Sequence, residues 1–453
     1  MQKRILLIIA IVLYLLFFIM PMEVDIKIQS IAALIIIQIL WVGKVYPLAY
    51  SSLLVILLLS FHFFTHEETL AYLGSDVVWL LFSTFILSNA LINTGLANRM
   101  SLTILKLSRG ASRALLPIAF ASIFVISILV PSNVGKASLL TSVLDSLIKS
   151  LGPSNSTKNL AKSLFIGITY LVPIAGAFIA TGASSTIYAY NLFSENGATI
   201  HYVNWIVLFG VPILIFVIFL CIIFMLLFPT EKIDREFLLQ LIEDEIGKLG
   251  KMKFEEKKML GIIGVVLFLW MTQNVHGYSI PLIGLLGACI TMLPRIGVWD
   301  WNQAKTSVNW DIILFFASTL MVSGMLIHTG TITWLSKYLN AIVDDQSPFV
   351  IVLILVLLTA LLRIMFVNVL GFLAIMLPIA FTLGDTLSNV SALLLAKAVF
   401  LAGIPGFFFI TQSPVHLISY SYGYFTEKEL FRVGVVASVV WVLIICVAFL
   451  VYW

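Results

Sequence analysis

Long uninterrupted apolar runs alternate with short polar stretches over the whole chain, and these runs set the expected elements. Residues 5–20, 28–42, 46–63, 77–96, 203–228, 260–275, 280–293, 312–327 and 431–451 are each apolar over a length close to a membrane-crossing helix, about 20 residues. The first run follows Lys3 and Arg4 and is not followed by a small-residue cleavage site, so a retained helix with its N-terminus in the cytoplasm is expected. Two further regions, 114–151 and 348–383, are long enough to enter and leave the membrane, yet each has polar and glycine residues at its middle. Irregular backbone at membrane depth is tolerated only where protein or a wet cavity satisfies it, so each region predicts a re-entrant hairpin, with tips near 131–138 and 367–372. The fold class expected is an all-α polytopic membrane protein.

Composition agrees. The 453 residues are 61% hydrophobic and 11% charged, against a charged fraction of about 25% in soluble domains. The net charge of +4 is spread over loop ends, which suits topology signals better than nucleic-acid binding. Cys221, Cys289 and Cys446 all lie in apolar runs and match neither a zinc spacing nor a disulfide framework, so they read as packing residues. One soluble stretch, 229–258, holds Glu243, Asp244, Glu245, Lys251, Lys253, Lys257 and Lys258. It reads as a solvated cytoplasmic linker, its basic end against the next helix, between an N-terminal half (1–228) and a C-terminal half (259–453). An odd number of spans after it puts Trp453 outside the cell.

The halves resemble each other. Laying 76–96 on 311–331 aligns Asp76 with Asp311, Ser83 with Ser318, Thr84 with Thr319, Ser88 with Ser323, and Thr94-Gly95 with Thr329-Gly330. The same register, without a gap, sets Asn133 on Asn368, so both asparagines are hairpin tips. After a short slip, Ile174, Gly176, Phe178 and Thr181 align with Ile404, Gly406, Phe408 and Thr411, just before a second polar break in each half. Repeated broken helices point to a secondary transporter with its site near the midplane, and an odd number of spans per unit makes the repeats inverted.

A hairpin tip exposes helix N-terminal N–H groups that suit an anion, and an Asn amide adds two donors and an acceptor. Asn133 and Asn368 therefore read as substrate contacts, or as helix caps. Lys136, one turn beyond Asn133, either faces the site as a fixed cation or pairs with a carboxylate inside the protein. Arg363, in the first arm of the second hairpin, has the same two readings. His416 either donates to substrate, carries a proton, or satisfies backbone. Asp76 and Asp311 read as caps.

The tips Ser132-Asn133-Val134 and Val367-Asn368-Val369, with the closing stretch QSPVHLISYSYGYFTEKELFRVG, resemble the divalent anion:sodium symporter family of the ion transporter superfamily. That resemblance covers nearly the whole chain. It implies two inverted repeats, about eleven transmembrane helices, two re-entrant hairpins, a homodimer, and an elevator motion of a transport domain against a scaffold. Family tips usually read Ser-Asn-Thr, so hydroxyls are missing here at Val134, Val367 and Val369. The family's second break usually reads close to Gly-Thr-Pro-Pro-Asn. Here it reads Gly182-Ala183-Ser184-Ser185-Thr186 and Gln412-Ser413-Pro414-Val415-His416. Sodium takes oxygen ligands, so these changes leave it mainly backbone carbonyls.

The expected function is secondary active transport of a small anion, a di- or tricarboxylate, with Lys136 in place of a coupling sodium. Alternatives are sulfate or another inorganic oxyanion, and sodium- or proton-coupled cation antiport. The expected substrate contacts are Ser132, Asn133, Val134, Lys136, Asn368, Val369, Ser413 and His416. A coupling sodium would use Ser132, Asn133, Gly182, Asn368 and Thr411, and no other cofactor is expected. The expected setting is the inner (plasma) membrane, with lipid and a second copy of the chain as partners and no nucleic acid. No H-E-x-x-H, G-x-S-x-G or Cys/His cluster occurs, so no enzyme is expected, and broken, repeated helices fit a carrier better than a symmetric pore.

Overall fold

A computed structural model describes residues 2–453 except 21–23, 44, 131, 152–156, 198–199, 232, 344–345 and 388. Pro131, at the expected first tip, therefore lies outside the described residues. These are helical almost throughout, and no strand occurs among them. Helices α1 (Gln2–Tyr14), α2 (Ile26–Val42) and α3 (Leu48–His62) come first, then the short α4 (His66–Leu73). Next are α5 (Asp76–Asn93) and α6 (Leu96–Lys106), followed by α7 (Ser112–Leu129) and α8 (Asn133–Ser150), which flank the expected first tip. A break separates α9 (Lys158–Phe178) from α10 (Ser184–Glu195), and α11 (Tyr202–Leu227) ends this half. Helix α12 (Arg235–Lys248) occupies the connecting stretch. The chain continues through α13 (Phe254–Met271), α14 (Gln273–His276), α15 (Ile280–Met292) and α16 (Trp301–Ser307). Helices α17 (Trp310–His328) and α18 (Thr331–Val343) precede α19 (Pro348–Arg363) and α20 (Val369–Thr386), which flank the expected second tip. A second break separates α21 (Ala392–Gly403) from α22 (Pro414–Ser421), and α23 (Glu427–Val447) closes the chain.

Seven helical stretches among the described residues are long and apolar enough to cross a membrane. The chain is thus a multi-pass membrane protein. One of the seven, α9, falls in a stretch the apolar runs left unassigned, and 94% of its most apolar window is buried. Gly167 allows that packing: a Cβ there would lie 2.2 Å from the Phe120 ring. The aligned Thr-Gly pairs end equivalent helices, since Gly95 (φ +85) and Gly330 (φ +68) both take the left-handed conformation that stops α5 and α17. Asp311 lies in the first turn of α17, but the cap is Asn309, whose side chain accepts from the Ile312 N–H.

By contacts the chain forms two compact units, each drawing on both halves of the sequence. One holds residues 1–82, 309–362 and 368–403. Its core joins Ile36, Ile37, Val55 and Leu59 to Met321, Met325 and Leu326. The Ser30 and Thr331 hydroxyls bond at 2.5 Å within it. Gly324 is required by close approach, because a Cβ there would lie 2.0 Å from the Tyr72 hydroxyl.

The other unit holds residues 83–308, 363–367 and 404–453. The buried Tyr170 hydroxyl of α9 lies 2.6 and 3.1 Å from the carbonyl oxygens of Leu430 and Phe407 and shares its one hydrogen between them, tying α9 to α23 and to the second break. The 229–258 stretch is more ordered than its charges suggest. Leu238 and Ile242 of α12 are fully buried, and Arg99 of α6 donates to the carbonyls of Leu249 and Gly250 and to Glu256. The three cysteines are free.

The Arg99–Glu256 pair lies ahead of the apolar part of α13, and its N···O distance is 3.0 Å. Burial alone would raise the Glu256 carboxyl, but hydrogen bonds from Arg99 and the Lys253 N–H outweigh it and hold the group below its usual range. A carboxylate depressed on folding contributes stability that is present above the unfolded pKa and lost as pH falls through the folded one. Arg99→Ala should therefore lower stability at neutral pH by about 1–3 kcal/mol and flatten the acid limb of the profile. Thermal unfolding in detergent from neutral to acid pH measures both.

Candidate functional site

The first break begins where α9 stops. Ile179 (φ −127, ψ 141) and Ala183 (φ −155, ψ 157) are extended, and the Gly182 N–H turns back to the Ile179 carbonyl at 2.9 Å. Gly182 must be small because a Cβ there would lie 2.5 Å from the Gly176 carbonyl oxygen. Two carbonyls freed by the break are met by side chains: Lys136 Nζ donates to Gly182 O at 2.9 Å, and Thr186 Oγ1 donates to Gly176 O at 2.8 Å.

Lys136 is fully buried and makes no ion pair with a carboxylate among the described residues. Next to it, Asn133 is the first residue of α8, and its Oδ1 is buried with no hydrogen-bond partner among the described residues. Both converge on Gly176: a Cβ at that glycine would lie 2.8 Å from Asn133 Oδ1 and 3.2 Å from Lys136 Nζ. The cap of α8 is Ser132, whose hydroxyl accepts from the Gly135 N–H at 3.1 Å. Capping therefore does not account for Asn133.

The second break lies in the same unit. His416 is fully buried, and its Nε2 is 2.5 Å from Gly406 O. A carbonyl only accepts, so Nε2 carries the hydrogen. Nδ1 faces no partner among the described residues. Ser413 is buried and caps α22 through the Val415 N–H at 3.2 Å. Gln412 Oε1 accepts from the N–H groups of Phe408 and Phe409 at 2.8 and 2.9 Å. Arg363 is buried and donates to Phe366 O and, at 3.2 Å, to Gln412 O.

One unit thus holds Ser132, Asn133, Lys136, Gly182, Ser413 and His416, together with Val134 and Thr411, which are both exposed. Asn368 and Val369 belong to the other. Asn368 is exposed and caps its own helix, accepting from the Leu370 N–H at 2.9 Å. Among the described residues no three His, Cys, Asp or Glu side chains converge to hold a metal ion. The oxygen left without a partner beside the first break is Asn133 Oδ1, whereas the carbonyls of Gly176, Gly182, Gly406 and Gln412 each accept from a side chain.

Gly176, Thr186 and Gln412 were missing from the expected site. The alignment that paired Gly176 with Gly406 was the signal available, since continuing it sets Thr186 on His416 and Gly182 on Gln412. A buried ammonium and an unpartnered amide oxygen beside unwound helix ends suit a small anion or the ion carried with it.

The family described as the sodium:sulfate symporter transmembrane region matches residues 2–453. The chain is 26% identical to a sodium-dependent dicarboxylate transporter of Staphylococcus saprophyticus, over 87% of this chain and 80% of that one. It is 24% identical to a putative malate transporter of Bacillus subtilis, over 62% of this chain and 60% of that one. It is also 21% identical to an L-tartrate/succinate antiporter of Escherichia coli, over 83% of this chain and 78% of that one.

The convergence on Gly176 makes a stability prediction. Gly176→Ala pushes a methyl group against Asn133, Lys136 and Ala183 and should cost about 1–3 kcal/mol, as overpacking does. Gly261→Ala, inside α13, meets nothing within 4 Å and should leave the thermal unfolding temperature in detergent unchanged or slightly raised, by helix propensity.

Proposed function

Because the chain belongs to the sodium:sulfate symporter family, that of the divalent anion:sodium symporters, we propose that it carries a small dicarboxylate across the membrane, with the Lys136 ammonium in place of a coupling sodium. The chain is a transporter and not an enzyme. The observation that carries the reading is the Lys136 ammonium, buried without a carboxylate partner among the described residues and bonded to a carbonyl of the first break. Unwound carbonyls of this kind coordinate sodium in secondary transporters, and a covalent ammonium on the same oxygen supplies the charge from within. A dicarboxylate is favoured over sulfate by the relatives, whose names specify dicarboxylate, malate and tartrate/succinate.

Substrate binds at Asn133 and Lys136, with Ser413 and His416 shaping the second break. The protein works by alternating access of elevator type, as a homodimer in the inner membrane. The 229–258 stretch is cytoplasmic, by virtue of its basic end.

A second reading is sodium coupling. It is favoured by the sodium-dependent relative and by Asn133 Oδ1, a buried oxygen without a partner among the described residues and of the type a hard cation takes.

A sodium titration separates the two. With the purified protein in liposomes, succinate transport should proceed without sodium and change little when it is added. Lys136→Ala should lose affinity at low salt. Lys136→Arg should restore little of it, because a planar fork does not fit the space of an ammonium. Asn133→Ala should weaken binding by about 1–3 kcal/mol while leaving the protein folded. Transport that requires sodium in the wild type and is unaltered in Lys136→Ala favours the second reading. In a cysteine-free background, a cysteine placed at Glu243 should resist a membrane-impermeant thiol reagent in intact cells, and labelling there would reverse the orientation.

A further inference from the structure

In each break two backbone carbonyls at aligned positions are held by side-chain hydrogen bonds. In the first, Thr186 Oγ1 bonds Gly176 O and Lys136 Nζ bonds Gly182 O. In the second, His416 Nε2 bonds Gly406 O and Arg363 Nη2 bonds Gln412 O. Gly176 aligns with Gly406, Thr186 with His416, and Gly182 with Gln412. The two cations do not align. Lys136 follows its tip, in the first turn of α8, whereas Arg363 precedes its tip, at the end of α19. A shared ancestral side chain therefore does not explain them. What they share is the backbone oxygen on which each cation ends.

From this convergence we propose that Arg363 is the second-break counterpart of Lys136, a fixed cation on the carbonyl that a mobile cation would otherwise neutralise. The inference rests on the reading of Lys136 given above. An unwound carbonyl at membrane depth carries a partial negative charge that must be met by a donor or an ion. A guanidinium meets it permanently, because arginine does not lose its proton in proteins. Its fork also reaches the Phe366 carbonyl, just ahead of the second tip, so one side chain joins tip to break. The carrier would then need no mobile cation at either break, and a dicarboxylate would find positive charge supplied at both.

The test is binding of labelled succinate to the full-length protein in detergent, without sodium. Arg363→Gln keeps hydrogen-bonding groups but not the charge, and should bind at least about tenfold more weakly, the equivalent of about 1.4 kcal/mol. Free guanidinium ion should restore part of the affinity, and tetramethylammonium at equal ionic strength should not. Arg363→Lys keeps charge without the fork and should bind better than Arg363→Gln. If Arg363→Gln binds succinate as the wild type does, the proposal is overturned. It is equally overturned if both variants lose binding alike without rescue by guanidinium, because Arg363 then only ties tip to break. Normal binding by Lys136→Ala counts against the parent reading, whereas impaired Lys136→Ala beside normal Arg363→Gln removes the second cation alone.

Discussion

Helices that stop inside a membrane release carbonyls that lipid cannot satisfy, and the hydrogen bond from Lys136 to Gly182 answers that constraint at the first break. Its energetics are lopsided. Taking an ammonium out of water costs several kcal/mol even after the surroundings relax, and one charge-assisted hydrogen bond returns about 1.5–3 kcal/mol. The remainder is a cost that an anion bound beside the ammonium would offset. Gly182 and Gly176 follow from the same bond: Gly182 lets the backbone fold back over the Gly176 carbonyl, and Gly176 leaves room for both Lys136 Nζ and Asn133 Oδ1.

Satisfying a break with side chains also fixes what must surround it. Thr186 and His416 do the same work with different chemistry, a hydroxyl in one case and an imidazole N–H in the other. Either group needs only one donor and a short reach, so the residue type is free while the contact is kept. The larger ring leaves a second nitrogen, Nδ1, buried and without a partner among the described residues, whereas Thr186 spends its one hydroxyl hydrogen on the Gly176 carbonyl. The two breaks are alike in backbone and unlike in the polar groups they leave over.

The apolar runs identified most spans because a crossing helix needs little beyond length and hydropathy. They missed α9, whose Lys158, Asn159 and Lys162 open the helix and whose interior mixes Gly167, Thr169, Pro173 and Gly176 among apolar residues. Such a helix is buried by protein, not lipid, so small residues that allow close packing replace uniform hydrophobicity. Helices α6 and α18 were missed for a related reason: an amphipathic helix has no long apolar run, and in α6 only one face, through Leu96, Ala97, Ser101, Leu102 and Leu105, is buried. Lys136 and Asn133 were legible because a cation and an amide stand out in an apolar chain. Their partners were not, because a backbone carbonyl has no signature in sequence and Gly182 is marked only by what it lacks.

The aligned asparagines show how far a repeat constrains a site. Asn368 spends its side-chain oxygen on capping α20, through the Leu370 N–H. In the first half that capping falls to Ser132, one residue earlier, and Asn133 Oδ1 is left over. The second tip has Val367 where the first has Ser132, so no hydroxyl is present to relieve Asn368 of the cap. Serine at the first tip thus goes with an amide oxygen left without a partner among the described residues, and valine at the second with an amide oxygen that caps its helix. Equivalent position in the repeat does not make the two asparagines equivalent in chemistry, and the polar capacity of the first tip, next to Lys136, has no copy at Asn368.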